Sequence, residues 1–412
     1  MTSDACFVAI TLPGQTEPVT AARFEWVDGV GRLVYGTRYL ARTDAVPLEP
    51  ALPLSERTFE TASLGGLFGS LRDSSPDFWG RRVLERNLGR APIGEVELLL
   101  RSPDDRAGAL SFSDTKEPPP PLRRFSRTLD LARLQRVADL VLEDDAEGDS
   151  AEREVEELML VGTSMGGARP KAVVEDEGAL WLAKFNRADD RWNMARVEAA
   201  MLRLARLCGI ETPDSKVLRV GARDALLVRR FDRRETTNGL LRSRMISALT
   251  LLEADEDPQG RARWSYLELV ERLRKVSAEP ARDAHQLFRR VVFNALTSNV
   301  DDHPRNHAFI AWDAAWRLSP AYDLTPFPAV SRERRDLALV AGRHGRWANA
   351  ENLLSEAERF LLSPREASRI VDSLESIVAQ RWRTLLRAAG VSVADCERLA
   401  PAFGYPGFRL EP

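Results

Sequence analysis

Residues 299–323 read NVDDHPRNHAFIAWDAAWRLSPAYD, and their polarity is hard to explain as packing. Asp301 and Asp302 stand beside His303, Asn306 follows Asp301 by five residues, and Asp323 closes a segment that reads as two short strands. A carboxylate, an amide five residues on and a second carboxylate beyond a hairpin are the parts of a phosphoryl-transfer site. One group orients the nucleophile, and two oxygens hold magnesium against the phosphates.

The sequence before this stretch is built to support it. Residues 281–298 place Leu287, Phe288, Val291, Val292, Ala295 and Leu296 on one helical face. A buried helix is therefore expected to deliver the chain rigidly into Asp301. Residues 264–276 read as a second amphipathic helix, 324–350 as loop and 351–399 as helical again.

A phosphoryl-transfer site also needs a phosphate loop and a cation. Residues 161–185, VGTSMGGARPKAVVEDEGALWLAKF, offer Gly166 and Gly167 in a flexible turn, then two β-prone runs around Glu177-Gly178. Glycines let backbone N–H groups approach phosphate oxygens, although a lone Gly-Gly is by itself an ordinary turn. Only five of the 59 basic residues are lysines, so Lys184 near the end of a predicted strand reads as a phosphate contact ahead of an edge lysine snorkelling to water. Its point charge suits phosphate. Residues 191–208 predict a helix ending at Gly209. Glu198 on it would either pair with Lys184 or face solvent. Runs at 215–220 and 225–231 complete a sheet of about five strands, and Phe231-Asp232-Arg233-Arg234 leave it for a loop, either a nucleotide hinge or an ordinary crossover.

Toward the N-terminus, FVAITL, TAARFEW and GRLVYG are β-prone, the last two split by Asp28-Gly29, a hairpin signal. Pro47 to Pro53 is too proline-rich for a central strand. Four consecutive prolines within residues 114–124 mark a spacer, and residues 128–142 predict an amphipathic helix followed by an acidic run. The chain of 412 residues is long enough for two or three lobes. Its net charge of −3 argues against a general nucleic-acid coat. No apolar run approaches the roughly 18–20 residues that span a bilayer. The opening MTSDACFVAITL lacks a basic n-region, so no signal peptide is expected. Three scattered cysteines, Cys6, Cys208 and Cys396, fit a reducing cytoplasm.

Two rival readings of 299–323 are weaker. Asp301, His303 and His307 would ligate the metal of a divalent-metal hydrolase, but Pro304 compromises helical presentation of the two histidines. That reading also leaves Gly166, Gly167 and Lys184 without a role. A capped structural turn explains one such polar residue, not three spaced across a hairpin.

SMGGARPKA at 164–172, RRFDR at 229–233, NVDDHPRNHAFI at 299–310 and SPAYDLTP at 319–326 together resemble the motifs of the HipA family, bacterial serine/threonine kinases of toxin–antitoxin modules. The resemblance implies an α+β, protein-kinase-like two-lobed fold. It would have a β-rich N-terminal half carrying an extra subdomain, and an all-helical C-terminal lobe. The corresponding divisions are 1–113 for the subdomain, 114–127 for the linker, 128–235 for the nucleotide-binding lobe and 236–412 for the helical lobe. It implies Asp301 as the catalytic residue and Asn306 and Asp323 as magnesium ligands. Lys184 would meet ATP phosphates. Gly166, Gly167, Ala168, Arg169, Pro170 and Lys171 would form the nucleotide loop, and Arg229, Arg230 and Phe231 the adenine hinge. His303, Pro304, Arg305 and Tyr322 join these as nucleotide contacts. Ser164 matches a serine whose autophosphorylation silences family members; its phosphate would add about −1.5 to −2 charge to the loop that cradles ATP.

Two positions depart from the pattern. Arg229 stands where some relatives are acidic, and Asp302 replaces a small residue, which leaves Asp301 and Asp302 in competition. The spacing to Asn306 favours Asp301. The resemblance further implies a protein substrate such as an aminoacyl-tRNA synthetase and a small DNA-binding, HipB-like antitoxin. DNA would be met only through that partner, and no membrane is involved. A catalytically silent kinase-like scaffold is the non-enzymatic alternative.

Overall fold

The computed structural model describes residues 4–89, 91–121, 125–127, 130–143, 169–328 and 331–410. The chain forms two compact units. The first gathers Met1–Arg187, Leu218–Ile246 and Ile310–Ala315; the second gathers Ala188–Val217, Ser247–Phe309 and Trp316–Pro412.

The first unit opens with an antiparallel sheet of β1 (Ala5–Thr11), β2 (Pro18–Val27), β3 (Val30–Tyr35), β4 (Phe59–Thr61) and β5 (Leu110–Ser113), ordered β4-β3-β2-β1-β5. Asp28 and Gly29 turn β2 into β3 with φ of 51° and 82°, both left-handed, as a two-residue hairpin of this hand requires. Val8, Ile10, Phe24 and Leu33 alternate onto one core face with Phe68 and Leu71. The proline-rich segment stays out of the sheet but is tied to it: the Tyr35 hydroxyl donates to the Leu52 carbonyl at 2.8 Å and accepts from the Leu48 N–H at 3.0 Å.

A second sheet holds β6 (Ser126–Arg127), β7 (Lys171–Asp176), β8 (Ala179–Phe185), β9 (Ser215–Val220) and β10 (Arg223–Arg229), ordered β6-β7-β8-β10-β9. The two-residue β6, parallel to β7, escaped the sequence reading because it is too short to show a period. Helices α1 (Phe78–Leu88) and α2 (Leu131–Glu143) contribute to its core. Trp79, Val83, Leu134 and Val141 pack with Ala172, Val174, Ala183 and Leu227. The strands β11 (Arg233–Thr236) and β12 (Gly239–Arg242) follow as a hairpin, and β13 (Arg244–Ser247) leads onward.

The second unit is mostly helical. Its principal helices are α3 (Met194–Leu207), α4 (Tyr266–Val276), α5 (Pro280–Thr297), α6 (Pro364–Ala388) and α7 (Val393–Phe403). Twelve residues of α5 are buried, and it packs against α4, α6 and α7. Short strands β14 (Ala308–Ala311) and β15 (Arg317–Leu318) follow α5 in the chain. No helix among the described residues is long and apolar enough to cross a membrane. Cys6, Cys208 and Cys396 are free and buried.

Candidate functional site

Helix α5 stops at Ser298, which adopts φ 52° and ψ 38°, and the backbone N–H of Ser298 turns back to the helix carbonyls. The chain reverses there and presents residues 299–307. Asp301 is exposed, and its carboxylate has no hydrogen bond among the described residues. Its backbone carbonyl is instead the hub of the loop: it accepts from the His303 N–H at 2.8 Å and from Asn306 Nδ2 at 3.1 Å. Pro304–Asn306 makes one 3₁₀ turn, with Pro304 at its start where a missing N–H costs nothing. Because the Asn306 nitrogen is committed to Asp301, the amide oxygen is left as an acceptor for something else.

The Asp301 carboxyl titrates above its ordinary value. Partial burial is the main cause; His303 opposes it, while the Asp323 and Asp302 carboxylates reinforce it. Two further negative groups within Coulombic reach make this a place where a divalent cation relieves repulsion. Asp323 itself sits at φ 57°, a left-handed conformation uncommon outside glycine. Strain of this kind collects at functional positions. Amide and carboxylate oxygens such as these are the hard donors that magnesium prefers.

Asp302 points inward and is 1% exposed. Its Oδ2 accepts from the Tyr266 hydroxyl of α4 and lies 2.7 Å from His307 Nε2. The positive Arg290 of α5 lies within its field. Arg290 is itself buried, which lowers its guanidinium to about 10, and it donates to the Ser319 carbonyl. Next on the same helix, Asp283 accepts from the Leu318 N–H at 2.9 Å, from Arg317 Nε at 3.1 Å and from the Ser277 hydroxyl at 2.6 Å. Helix α5 thus delivers Asp301 from its C-terminus and grips β15 and Ser319 along its flank. Five residues beyond Leu318 comes Asp323, and Tyr322 donates its hydroxyl to the Arg305 carbonyl at 2.7 Å. Sequence reasoning missed Tyr266, Asp283 and Arg290 as organisers. Arg290 carried a signal: a charge on the same helical stripe as Leu287, Val291 and Asn294.

In the first unit, Lys171 of β7 and Lys184 of β8 are directly opposed, so their side chains share a face. Lys171 is buried, and its ammonium is bound to Asp77 at 3.1 Å. Its side chain is thus committed to an ion pair within the unit, whereas the sequence reading gave it to a nucleotide loop. Pro170 accepts from the Phe185 N–H at 3.1 Å, and Arg169 begins the described part of this loop. Ser164, Gly166, Gly167 and Ala168 lie outside the described residues.

At the proposed hinge, Arg229 is exposed and Phe231 half-buried, but Arg230 is buried. The Arg230 N–H goes to the Leu180 carbonyl at 2.9 Å, and its guanidinium grips Asp232 at 2.8 and 3.0 Å and the Asp105 carbonyl at 2.6 Å. Arg233 and the Gly108 N–H also bind Asp232, at 2.7 and 3.0 Å. Burial alone would raise the Asp232 carboxyl; the two guanidiniums outweigh it and hold it far below the usual range. Much of the RRFDR motif is therefore an internal fastening. Glu198 is buried on α3 rather than solvated.

The hydrolase arrangement of Asp301, His303 and His307 is not assembled. No group of three or more His, Cys, Asp or Glu side chains among the described residues could hold a metal. His307 is buried and engaged by Asp302.

Comparison with known proteins agrees with this architecture. The family description HipA N-terminal domain matches residues 11–113, and HipA-like C-terminal domain matches residues 163–382. Y4mE from Sinorhizobium fredii, which its name proposes to be a kinase, is 26% identical over 381 residues, 87% of this chain and 80% of that protein. The HipA protein of Shewanella oneidensis MR-1, solved with HipB and operator DNA, matches with a TM-score of 0.70 at 15% identity. That match covers 98% of this chain and 96% of the other. It is a likeness of fold: mixed α and β, β-rich toward the N-terminus and helical toward the C-terminus. Two family descriptions, one on each side of the proline-rich segment and the second spanning more than half the sequence, establish that the chain belongs to the HipA family.

Proposed function

We propose that this protein is an ATP- and Mg2+-dependent serine/threonine protein kinase of the HipA type. The observation that carries the proposal is the division of labour at residues 301–306: an exposed Asp301 carboxylate without a hydrogen bond among the described residues, on a loop whose carbonyl is locked by Asn306. In this reading Asp301 accepts the proton of, or orients, the attacking hydroxyl. Asn306 Oδ1 and Asp323 hold Mg2+, which when bound neutralises phosphate charge. Lys184 contacts the nucleotide phosphates, and the backbone from Arg229 to Phe231 meets the base. His303, Pro304, Arg305 and Tyr322 are further nucleotide contacts in this reading. Catalysis then rests on positioning, since a loose transition state asks little covalent help.

The chain would be the toxin of a toxin–antitoxin module, partnered by a HipB-like antitoxin; the Shewanella relative crystallised with HipB and operator DNA supports that partner. Its acceptor would be a protein hydroxyl, a translation component being the family-based candidate. Ser164 is the proposed site of silencing autophosphorylation.

Incubation with γ-labelled ATP and Mg2+, followed by mass-spectrometric mapping, tests both parts. The wild type is expected to label itself at Ser164. Asp301→Asn should stay folded and transfer nothing. ATP binding with no transfer by the wild type would overturn the reading in favour of a silent scaffold, and phosphate found only at other residues would overturn the Ser164 assignment.

A further inference from the structure

The second unit contains a cavity of about 870 Å³ that the phosphoryl-transfer chemistry does not use. Four arginines line it, Arg191, Arg332, Arg335 and Arg398, with Trp192 and Pro328 among its walls, and none of its described lining residues is acidic. Two of the arginines are built into the frame. Arg335 is buried, donates to the Ser331 carbonyl at 2.8 Å and lies over the Tyr405 ring at 4.4 Å. Arg398 reaches Asp395 at 3.2 Å and the Arg191 carbonyl at 3.3 Å.

The other two behave differently. Some exposed arginines of this unit meet carboxylates, as Arg334 does Asp336 and Arg409 does Glu375. Arg191 and Arg332 are exposed, and among the described residues their guanidiniums have no ion pair or hydrogen bond. Trp192 adds a buried indole N–H without a partner among the described residues. Two guanidiniums without carboxylates lining one concavity, beside an apolar wall and an unused donor, suit an anionic ligand with some apolar surface.

We propose that this cavity docks an acidic peptide segment of a partner protein. Its volume lies within the range of a ligand site. Its positive groups converge in one concavity rather than running along a face, which is the footprint expected for nucleic acid. The net charge of −3 likewise argues against a phosphate backbone tracked over the surface. Trp192 and Pro328 offer apolar contact to a peptide backbone while the arginines take its carboxylates. The inference goes beyond kinase chemistry and does not depend on it, because docking needs neither ATP nor Asp301.

Fluorescence anisotropy with labelled hexaglutamate, in the absence of ATP, tests it, with hexaglutamine and single-stranded oligothymidylate as competing probes. The wild type should bind hexaglutamate in a salt-sensitive manner and ignore hexaglutamine. The double variant Arg191→Gln/Arg332→Gln should weaken binding at least about tenfold with an unchanged melting temperature, since neither side chain supports the fold. Arg381→Gln, exposed elsewhere on the same unit, should change nothing. Equal affinity of the double variant, or binding of hexaglutamine as tight as hexaglutamate, would overturn the proposal. Tighter binding of oligothymidylate that depends on the same arginines would overturn it in favour of nucleic acid.

Discussion

Asp301 and Asp302 are chemically identical neighbours with opposite duties, and environment alone separates them. Asp301 keeps an exposed carboxylate; Asp302 satisfies Tyr266 and His307 in the interior. Asp301→Asn should therefore cost at least about a thousandfold in phosphoryl transfer without lowering the melting temperature. The sign follows from its raised carboxyl. The fold binds that proton more tightly than the unfolded chain does, so the ionised side chain subtracts stability above its own value and nothing below about pH 3.9. The Asn variant should match or slightly exceed wild-type stability at neutral pH, with the difference vanishing in acid. In the wild type, loss of transfer on acidification should set in above the ordinary aspartate range. Asp302→Ala should behave oppositely, losing about 3–5 kcal/mol in chemical denaturation because a buried hydroxyl and imidazole lose their acceptor. The five-residue spacing to Asn306 was legible in the sequence and favoured Asp301. The inward turn of Asp302 was not, because its partners Tyr266 and Arg290 come from two other helices.

Among the elements, α4 and α5 do the positioning. The Ser265 hydroxyl caps α4 by accepting from the N–H groups of Leu267 and Glu268, and the next residue after the cap is Tyr266, the donor to Asp302. Ser265→Ala should cost about 1 kcal/mol, read by denaturant titration, with a small fall in transfer rate as Tyr266 loosens. Helix α5 was predicted nearly to the residue from its apolar stripe, and it runs Pro280–Thr297. Hydrophobic periodicity reports which face is buried. It says nothing of what that face grips, so Asp283 and Arg290 as fasteners of β15 and Ser319 emerged only from the folded arrangement.

Across the whole molecule, segments far apart in sequence are joined by buried charge. Asp232 connects Arg230 and Arg233 to Gly108, 124 positions away in the chain. Asp232→Asn should cost about 3–5 kcal/mol at neutral pH by stranding two buried guanidiniums. Because the native carboxyl is depressed, that deficit is present in full above the unfolded value near pH 3.9 and narrows only as pH falls below it. A deficit that did not narrow below that pH would refute the ion-pair account. The sequence by itself determined the longer strand and helix runs, the hairpin at Asp28-Gly29, the support helix before Asp301 and the family motifs, since each depends on local period, turn chemistry or spacing. Only the tertiary structure decided that Lys171 answers Asp77, that RRFDR is largely an internal clasp, that Asp302 is buried while Asp301 is not, and that four arginines share one cavity. Those outcomes turn on which groups lose water and which partners reach them, and burial is set by residues tens to hundreds of positions away.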